Sequence, residues 1–313
     1  MDSPPVRPEI FAPFGEAFEL TRKILFQPFD FGKWLVIGFA AWLATFLNGF
    51  GFNYRYDFNR RNRFSHWLHT GHAYSLHDIP PGYIPFIIVG LAFIFALAVL
   101  LLWLNARARF IFTDCIVHNR GAFVEPWGEY HEEGNSYFVL NLIVAFCSLL
   151  IFGGLGLLFL ASWYWHHPLV PLAVLILITV IIGLAGVVVG LVLKLIVPVM
   201  YRQRCGAADA FLQVWNLVLD HPGLFILYVF FYLVLLMAAA MIGCIATCVT
   251  CCAAMLPYLG TVILLPVVMM LFAFPLCFLR QFGEQYDVWA GVSPGQLPPP
   301  PPIPPIQETS SPV

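Results

Sequence analysis

The sequence predicts an all-α fold: an integral membrane helical bundle of about six transmembrane helices, with amphipathic helices in the cytoplasmic interface. Three observations predict it: the composition, six long apolar stretches, and aromatic residues that cluster at the ends of those stretches. Apolar residues make up 60% of the 313 residues and charged residues only 10%, against about 45–50% and about 25% in soluble domains. So few charged residues cannot cover the surface of a soluble fold of this size. Lipid must therefore cover part of that surface.

Each apolar stretch has about the length that a bilayer crossing requires, roughly 20 residues. The stretches run approximately over 34–50, 84–104, 137–163, 170–199, 223–247 and 258–279. The first is the shortest and contains Thr45 and Asn48, and the fourth is long enough to tilt. Lys194, near the end of the fourth, is expected to extend toward the headgroups. Pro266 and Pro275 are expected to kink the sixth stretch.

Lysine and arginine predict the orientation, because cytoplasmic loops are enriched in both. An N-terminus in the cytoplasm places most of the basic residues on that side: Arg7, Arg22, Lys23, Lys33, Arg107, Arg109, Arg120, Lys194, Arg202, Arg204 and Arg280. The opposite side receives only Arg55, Arg60, Arg61 and Arg63. Both termini are therefore expected in the cytoplasm.

The same pattern divides the chain into three regions. Residues 1–33 form an N-terminal cytoplasmic segment with an amphipathic helix, and 34–282 form the six-span membrane domain. Within that domain, 51–83 is an outer loop rich in His and Arg. Residues 283–313 form a Pro-rich cytoplasmic tail, expected to be disordered, although its proline run could also bind an aromatic groove.

A weak internal repeat in the sequence precedes the pairs of predicted spans. Ala-Phe dipeptides at 17–18, 122–123 and 210–211 each open a short amphipathic segment that leads into a span. In the third segment, one face is polar and carries Asp209, Gln213, Asn216 and Asp220. The opposite face is apolar and carries Phe211, Trp215 and Val218. A helix of this kind lies in the interface plane. The alternative is that Ala-Phe recurs by chance in a chain with 30 Phe residues.

Histidine is concentrated in the outer loop, at His66, His69, His72 and His77, beside Asp78. Imidazole groups bind zinc, copper or nickel, and His66 and His69 would share one helical face. The glycine and proline residues around them disfavour a continuous helix, however. We therefore expect an ordinary interfacial loop, and metal binding remains the alternative.

Cysteine is concentrated at Cys244, Cys248, Cys251 and Cys252, which would share one helical face. Thiolates at this spacing could bind a soft metal or carry out redox chemistry. Cysteine also packs as a small apolar residue, and many alanines lie nearby. We therefore expect a close helix–helix contact here. Gly186 and Gly190 form a GxxxG pair that favours similar packing of the fourth span.

Arginine pairs follow two of the spans: Arg107 with Arg109, and Arg202 with Arg204. Such pairs can hold anionic lipid headgroups. Alternatively, they form salt bridges with the acidic residues that follow them in the sequence, and we favour this structural role.

The sequence lacks the residues that several functional classes require. No Asp or Glu falls within the six apolar stretches, so the usual ion-relay carboxylates are missing. The sequence has no Gly-rich phosphate loop, no His-Glu-x-x-His and no G-x-S-x-G. We therefore predict no catalytic residues, no metal site, no cofactor and no enzymatic activity. The near-neutral net charge provides no basic surface of the kind that binds nucleic acid.

Two segments carry a family resemblance. RARFIFTDCIVHNRGAFVEPWGEYHEEGNSYF (107–138) and LPYLGTVILLPVVMMLFAFPLCFLRQFGEQYDVW (256–289) resemble segments of uncharacterised bacterial multispanning membrane proteins. The layout of amphipathic helix and paired spans also resembles the membrane domain of glycerophosphoryl diester phosphodiesterases. The resemblance implies a bacterial inner membrane location and transfers no catalytic residue, because the catalytic domain of those enzymes has no counterpart here.

The leading functional hypothesis is a non-enzymatic membrane protein that organises an anionic lipid or a membrane protein partner. The alternative is a transporter or channel for a neutral or lipidic solute, with Asn48, Asn141 and Thr179 along its path. A third hypothesis is a metal- or thiol-handling protein built on the His loop and the Cys face. The sequence leaves the oligomeric state open.

Overall fold

The computed structural model describes residues 10–46, 84–164, 169–250 and 256–290. Within these ranges the chain is helical and contains no strand, which confirms the all-α prediction. The helices are α1 Phe11–Phe26, α2 Phe31–Thr45, α3 Ile84–Val117, α4 Val124–Glu129, α5 His131–Tyr164, α6 Leu169–Leu193, α7 Ile196–Gln203, α8 Ala207–Asp220, α9 Pro222–Val249, α10 Pro257–Ile263 and α11 Leu265–Arg280. A 3₁₀ turn follows at Glu284–Tyr286.

Four of these segments are long and apolar enough to cross a membrane: Ile84–Val117, His131–Ala161, Ala173–Gln203 and Pro222–Val249. The most apolar windows of the first two have no buried residue. Their exposed Leu, Ile and Phe side chains are typical of a lipid-facing surface. Two shorter apolar helices, α2 and α11, correspond to the first and sixth predicted spans. The structure therefore indicates a membrane protein.

Helix α3 extends well beyond the predicted end of its apolar stretch at 104. It continues to Val117, and the residues from Asn105 to Val117 are buried except Arg107, which is partly exposed. Arg107, Arg109 and Asp114, which follow the second predicted span, therefore lie on the same helix as that span. Asp114, which lies outside the six predicted stretches, is on this helix and fully buried. The helix continues because its polar side chains find partners inside the protein.

Proline interrupts two of the apolar segments. Helix α6 ends at Leu193, and α7 starts at Ile196, close to Pro198, whose ring clashes with the carbonyl four residues earlier. Helix α10 ends at Ile263, and α11 starts at Leu265, directly before Pro266. The kink predicted at Pro266 is confirmed, whereas Pro275 lies within the continuous helix α11.

The short apolar helices form the core with α1 and α3. Helix α1 packs on α11, and α2 packs on both α3 and α10. Asp30 begins α2 by accepting hydrogen bonds from the backbone N–H groups of Gly32 and Lys33. Helix α2 is then fixed on α10, because Trp34 Nε1 donates to the Val262 carbonyl at 3.0 Å.

Helices α1, α4 and α8 correspond to the three predicted amphipathic segments, although α4 has only six residues. The buried face of α8 differs from the prediction, and it consists of Ala207, Ala210, Val214 and Leu217. Phe211 and Trp215 stack on each other instead, and Trp215 is exposed. Alanine allows the closer approach to the bundle, so the bulkier aromatic face lies outside.

Among the residues that the structure describes, the predicted packing through Gly186, Gly190, Cys244 and Cys248 is not found. A Cβ added at Gly186 or Gly190 would meet no atom within 4 Å. Cys244 and Cys248 are exposed, and α9 buries Ala239 and Gly243 instead. Cys251 and Cys252 lie outside the described residues.

The folded chain also continues beyond 283, where the predicted tail begins. Tyr286, Val288 and Trp289 are buried against the bundle. Arg280 donates to Asp287 at 3.2 Å and holds this segment in place. The proline run lies outside the described residues.

Candidate functional site

A small pocket lies where α2, α3, α7, α9 and α11 meet. Its volume is about 40 Å³, and we call it the basic pocket. It is lined by Thr45, Arg109, Thr113, Lys194, Val197, Pro198, Tyr232, Val268, Leu271, Phe272, Pro275 and Leu276. A single water needs ~10–15 Å³ of cavity volume. The pocket can therefore hold a few waters or one small charged group.

Arg109 reaches the basic pocket from the buried part of α3 and is only 8% exposed. Its Nη1 donates to the Tyr137 hydroxyl at 3.0 Å, and its Nε donates to Asn105 Oδ1 at 3.4 Å. Asn105 is itself fixed, because its Nδ2 donates to the Leu43 carbonyl at 2.7 Å. Arg109 is thus held by neutral groups, and it forms no ion pair within the described ranges.

Lys194 lies at the break between α6 and α7. Its Nζ donates to the Tyr232 hydroxyl at 2.9 Å and lies 4.5 Å from the centroid of the Tyr232 ring. Tyr232 in turn donates to the Leu271 carbonyl at 3.3 Å. The expectation that Lys194 extends to the headgroups is therefore wrong: the side chain turns inward, to a hydroxyl on α9.

The lining of the basic pocket suits an anion. The hydroxyls of Thr45 and Thr113 donate to carbonyls of their own helices, Ala41 and Arg109. The basic groups at the pocket are therefore the guanidinium of Arg109 and the amine of Lys194, and none of the lining residues is acidic. In a low-dielectric interior such donors bind an anion more strongly than they would in water.

A cluster of polar side chains surrounds Asp114 near the end of α3. The Tyr201 hydroxyl donates to Asp114 Oδ1 at 3.0 Å, and His118 Nδ1 lies 2.9 Å from the same oxygen. Arg120 Nε donates to Oδ2 at 3.2 Å. The fully buried carboxylate thereby ties α3 to α7.

A second cluster surrounds Arg204, directly after α7. Its guanidinium pairs with Glu129 and with Glu133, the latter at 3.4 Å. It also lies 3.9 Å from the centroid of the Tyr130 ring, which stacks on Tyr201 at 4.7 Å. Burial raises the pKa of Tyr130 to about 12, so its hydroxyl stays protonated at neutral pH.

The comparisons with known proteins identify the family. The model of DUF7544, a family of unknown function, matches residues 10–288. The chain belongs to DUF7544. A comparison with curated proteins and one with solved structures find no match. The likeness to a phosphodiesterase membrane domain and the bacterial origin therefore stay predictions.

The arginine pairs of this DUF7544 chain have different roles. The predicted salt bridges are confirmed for Arg204. Arg120 and Arg280 also form ion pairs, with Asp114 and Asp287. Arg107 instead lies over the rings of Trp103 and Trp127, at 4.5 and 5.2 Å. Arg109, which the sequence placed with Arg107 in one pair, faces the basic pocket. Lys194 was visible as a cation within an apolar stretch, but nothing in the sequence indicated Tyr232 as its partner.

Other predicted site residues are not brought together. The histidines of the outer loop, His66, His69, His72 and His77, lie outside the described residues, as does Asn48. Over the described ranges, no group of His, Cys, Asp and Glu is arranged to hold a metal ion. Thr179 is exposed and donates to the Leu175 carbonyl. Neither Thr179 nor Asn141 lines either described cavity.

Proposed function

We propose that this member of DUF7544 is a membrane protein that binds an anionic lipid, whose charged group occupies the basic pocket. The observation that carries the proposal is the presence of Arg109 and Lys194 in one pocket whose lining is otherwise neutral. Basic pockets between transmembrane helices are known binding places for anionic headgroups. The proposal is one of binding, with no reaction step.

The remaining lining explains why the anion would belong to a lipid. Apart from the two cations, two threonines and Tyr232, the pocket is formed by apolar side chains. A free hydrophilic anion would gain little from them, whereas an amphiphile can place its charged end at Arg109 and its apolar part among the helices.

The volume restricts the charged group. About 40 Å³ accommodates a terminal oxyanion, such as a carboxylate or a phosphomonoester. A headgroup esterified at both ends would have to continue through a second opening. The ligand class is therefore an amphiphile with a terminal oxyanion, and its two natural sources are a fatty acid and a phosphatidic acid.

Lipid binding by the purified protein in nanodiscs tests the proposal. Binding of oleate and of phosphatidic acid is measured by native mass spectrometry, with phosphatidylcholine as the neutral comparison. We expect Arg109→Gln and Lys194→Met each to weaken binding of the anionic lipid by about 10-fold or more, because each removes a charge-assisted hydrogen bond. The two anionic lipids distinguish a carboxylate from a phosphomonoester ligand.

Arg202→Gln is the matched control, since Arg202 is half-buried near the end of α7 and lies outside the basic pocket. It should leave the binding of both anionic lipids unchanged. Equal loss of binding in all three variants would show that the anionic lipids respond only to overall charge. That result, or unchanged binding in Arg109→Gln, would contradict the proposal.

A further inference from the structure

Arg107 lies on the surface of α3, just beyond the end of the apolar stretch at 104. Its neighbours Asn105 and Arg109 are buried, whereas Arg107 is partly exposed. Its guanidinium carbon lies 4.5 Å from the centroid of the Trp103 ring and 5.2 Å from that of the Trp127 ring. Tryptophan and arginine at the end of an apolar stretch are typical of the depth at which lipid headgroups lie. The position of Arg107 therefore corresponds to the headgroup region of a bilayer.

One side chain of α5, that of Asn135, fixes the orientation of this guanidinium. Its Oδ1 accepts from Arg107 Nε at 3.3 Å and from Nη2 at 3.2 Å, and it also accepts from Trp103 Nε1 at 3.0 Å. Gly134 allows the close approach of α5, because a Cβ there would lie 2.9 Å from Arg107 Cγ. Asn135 thus occupies the Nε–Nη2 edge of the guanidinium, and the N–H groups of Nη1 are left for another partner.

No carboxylate neutralises Arg107 within the part of the chain that the structure describes. Over these residues its Nη1 also has no protein acceptor. By contrast, Arg120, Arg204 and Arg280 each form an ion pair with an acidic side chain. A guanidinium that is held in one orientation and keeps free N–H donors is suited to a phosphate group, because it can form charge-assisted hydrogen bonds to two phosphate oxygens.

The surface next to Arg107 on the membrane side is apolar. Leu100 lies two turns before Arg107 on α3, and Val139 lies one turn after Asn135 on α5. Both side chains are more than half exposed, and the two helices pack on each other. A phospholipid can therefore place its phosphate at Arg107 and its acyl chains along this surface. A free phosphate ion would gain nothing from these apolar side chains, so a lipid is the favoured source of the phosphate.

We propose that Arg107, oriented by Asn135, binds the phosphodiester of an anionic membrane phospholipid, such as phosphatidylglycerol. A zwitterionic headgroup would bring its own ammonium group close to the guanidinium, and the two positive charges would repel each other. The site shares no residue with the basic pocket. It also differs in chemistry, because an exposed guanidinium admits a headgroup that is esterified on both sides of its phosphate.

A lipid titration tests the proposal. Delipidated protein in detergent micelles is titrated with dioleoyl phosphatidylglycerol, dioleoyl phosphatidylcholine or diolein, and native mass spectrometry counts the bound lipids. We expect the first phosphatidylglycerol to bind about 5- to 10-fold more tightly than the other two lipids, because only this lipid supplies an uncompensated phosphate to Arg107. Inorganic phosphate is added in excess as a competitor and should not displace it.

Two variants separate the charge from its orientation. Arg107→Gln removes the charge and should reduce the affinity for phosphatidylglycerol to that for phosphatidylcholine. Asn135→Ala retains the charge but releases the guanidinium, and it should weaken binding of phosphatidylglycerol by about 3-fold. Arg202→Gln is the control, because it makes the same change of charge at a half-buried residue near the end of α7. It should leave the affinity unchanged, and melting temperatures report whether each variant is folded.

Three results would overturn the proposal. The first is an unchanged affinity for phosphatidylglycerol in Arg107→Gln or, if that variant does not fold, in Asn135→Ala. The second is an equal loss of affinity in Arg202→Gln, which would show that the lipid responds only to overall charge. The third is displacement by inorganic phosphate, which would identify a site for the free ion. All of these variants retain Arg109 and Lys194, so binding of oleate at the basic pocket is measured separately, and failure of either proposal leaves the other testable.

Discussion

At the residue scale, the most constrained side chain is Asp114. Burying a carboxylate is costly unless donors replace the water that it loses. Tyr201, His118 and Arg120 supply those donors, and they come from α7 and from the loop between α3 and α4. The carboxylate is therefore a structural link whose removal leaves several polar groups without an acceptor.

We predict that Asp114→Asn lowers the free energy of unfolding by about 3 kcal/mol, because removing one partner of a buried ion pair leaves the other uncompensated. Denaturation in detergent micelles measures the change. Glu125→Gln is the control: Glu125 also contacts Arg120, but its side chain is 69% exposed. That variant should change stability by less than about 1 kcal/mol. Equal effects of the two variants would show that the buried position of Asp114 contributes nothing.

Glu16 on α1 should make stability depend on pH. Burial raises its pKa from the ordinary value of 4.5, although Arg280 nearby opposes the shift. The folded state therefore holds the proton more tightly than the unfolded state. The stabilisation is fully present below the unfolded pKa and is lost as pH rises through the folded pKa.

Glu16→Gln should accordingly flatten the decline in melting temperature above about pH 4.5. The measurement is a series of thermal denaturation curves between pH 4 and 8. Glu19→Gln serves as the control, because Glu19 pairs with Arg22 on the exposed side of the same helix. A wild-type profile that rises over this range would contradict the assignment.

At the element scale, packing rather than composition decides where the helices end. The apolar stretch of α3 stops near 104, yet the helix continues to Val117 because its polar residues are satisfied inside the bundle. Proline, by contrast, acts locally, and the break before Pro266 was visible in the sequence. Element boundaries were thus predictable where backbone sterics set them and unpredictable where tertiary contacts did.

The contact between α2 and α10 depends on a glycine. A Cβ at Gly38 would lie 2.9 Å from Val262 Cγ2, too close without displacement of α10. We predict that Gly38→Ala destabilises the protein by about 1–3 kcal/mol, the usual cost of overpacking. Gly15→Ala on α1 is the control, since a Cβ there meets nothing within 4 Å. It should be neutral or stabilising by up to about 1 kcal/mol. Thermal denaturation of both variants measures the difference.

At the scale of the whole molecule, the surface is apolar as well as the core. The exposed faces of α3, α5, α6 and α9 are apolar, while ion pairs and hydrogen bonds link the elements near Asp114 and Arg204. Lipid is the solvent that suits such a surface.

The distribution of Lys and Arg predicts that both termini lie in the cytoplasm, which requires an even number of crossings. Fusing a reporter that is active only in the cytoplasm to either terminus should give activity in both cases. Fusions within the loop 51–83 should give none. Activity at only one terminus would show an odd number of crossings, and α2 or α11 would then not span the bilayer.

The candidate site was only partly visible in the sequence. Arg109 and Lys194 could be recognised as cations near the ends of apolar stretches. Their meeting in one pocket could not, because Lys194 and its partner Tyr232 are 38 residues apart, and Asn105 and Leu43 are 62 apart. No local pattern encodes such distances.

The sequence by itself determined the helical class and the apolar surface. Both follow from local physics, because a segment in lipid must satisfy its backbone hydrogen bonds internally. Only the tertiary structure decided which polar side chains are buried and what they contact. Asp114 and Tyr201 are 87 residues apart, and their hydrogen bond exists only because α3 and α7 pack together. The basic pocket depends on the same packing, and so does the binding function proposed for it.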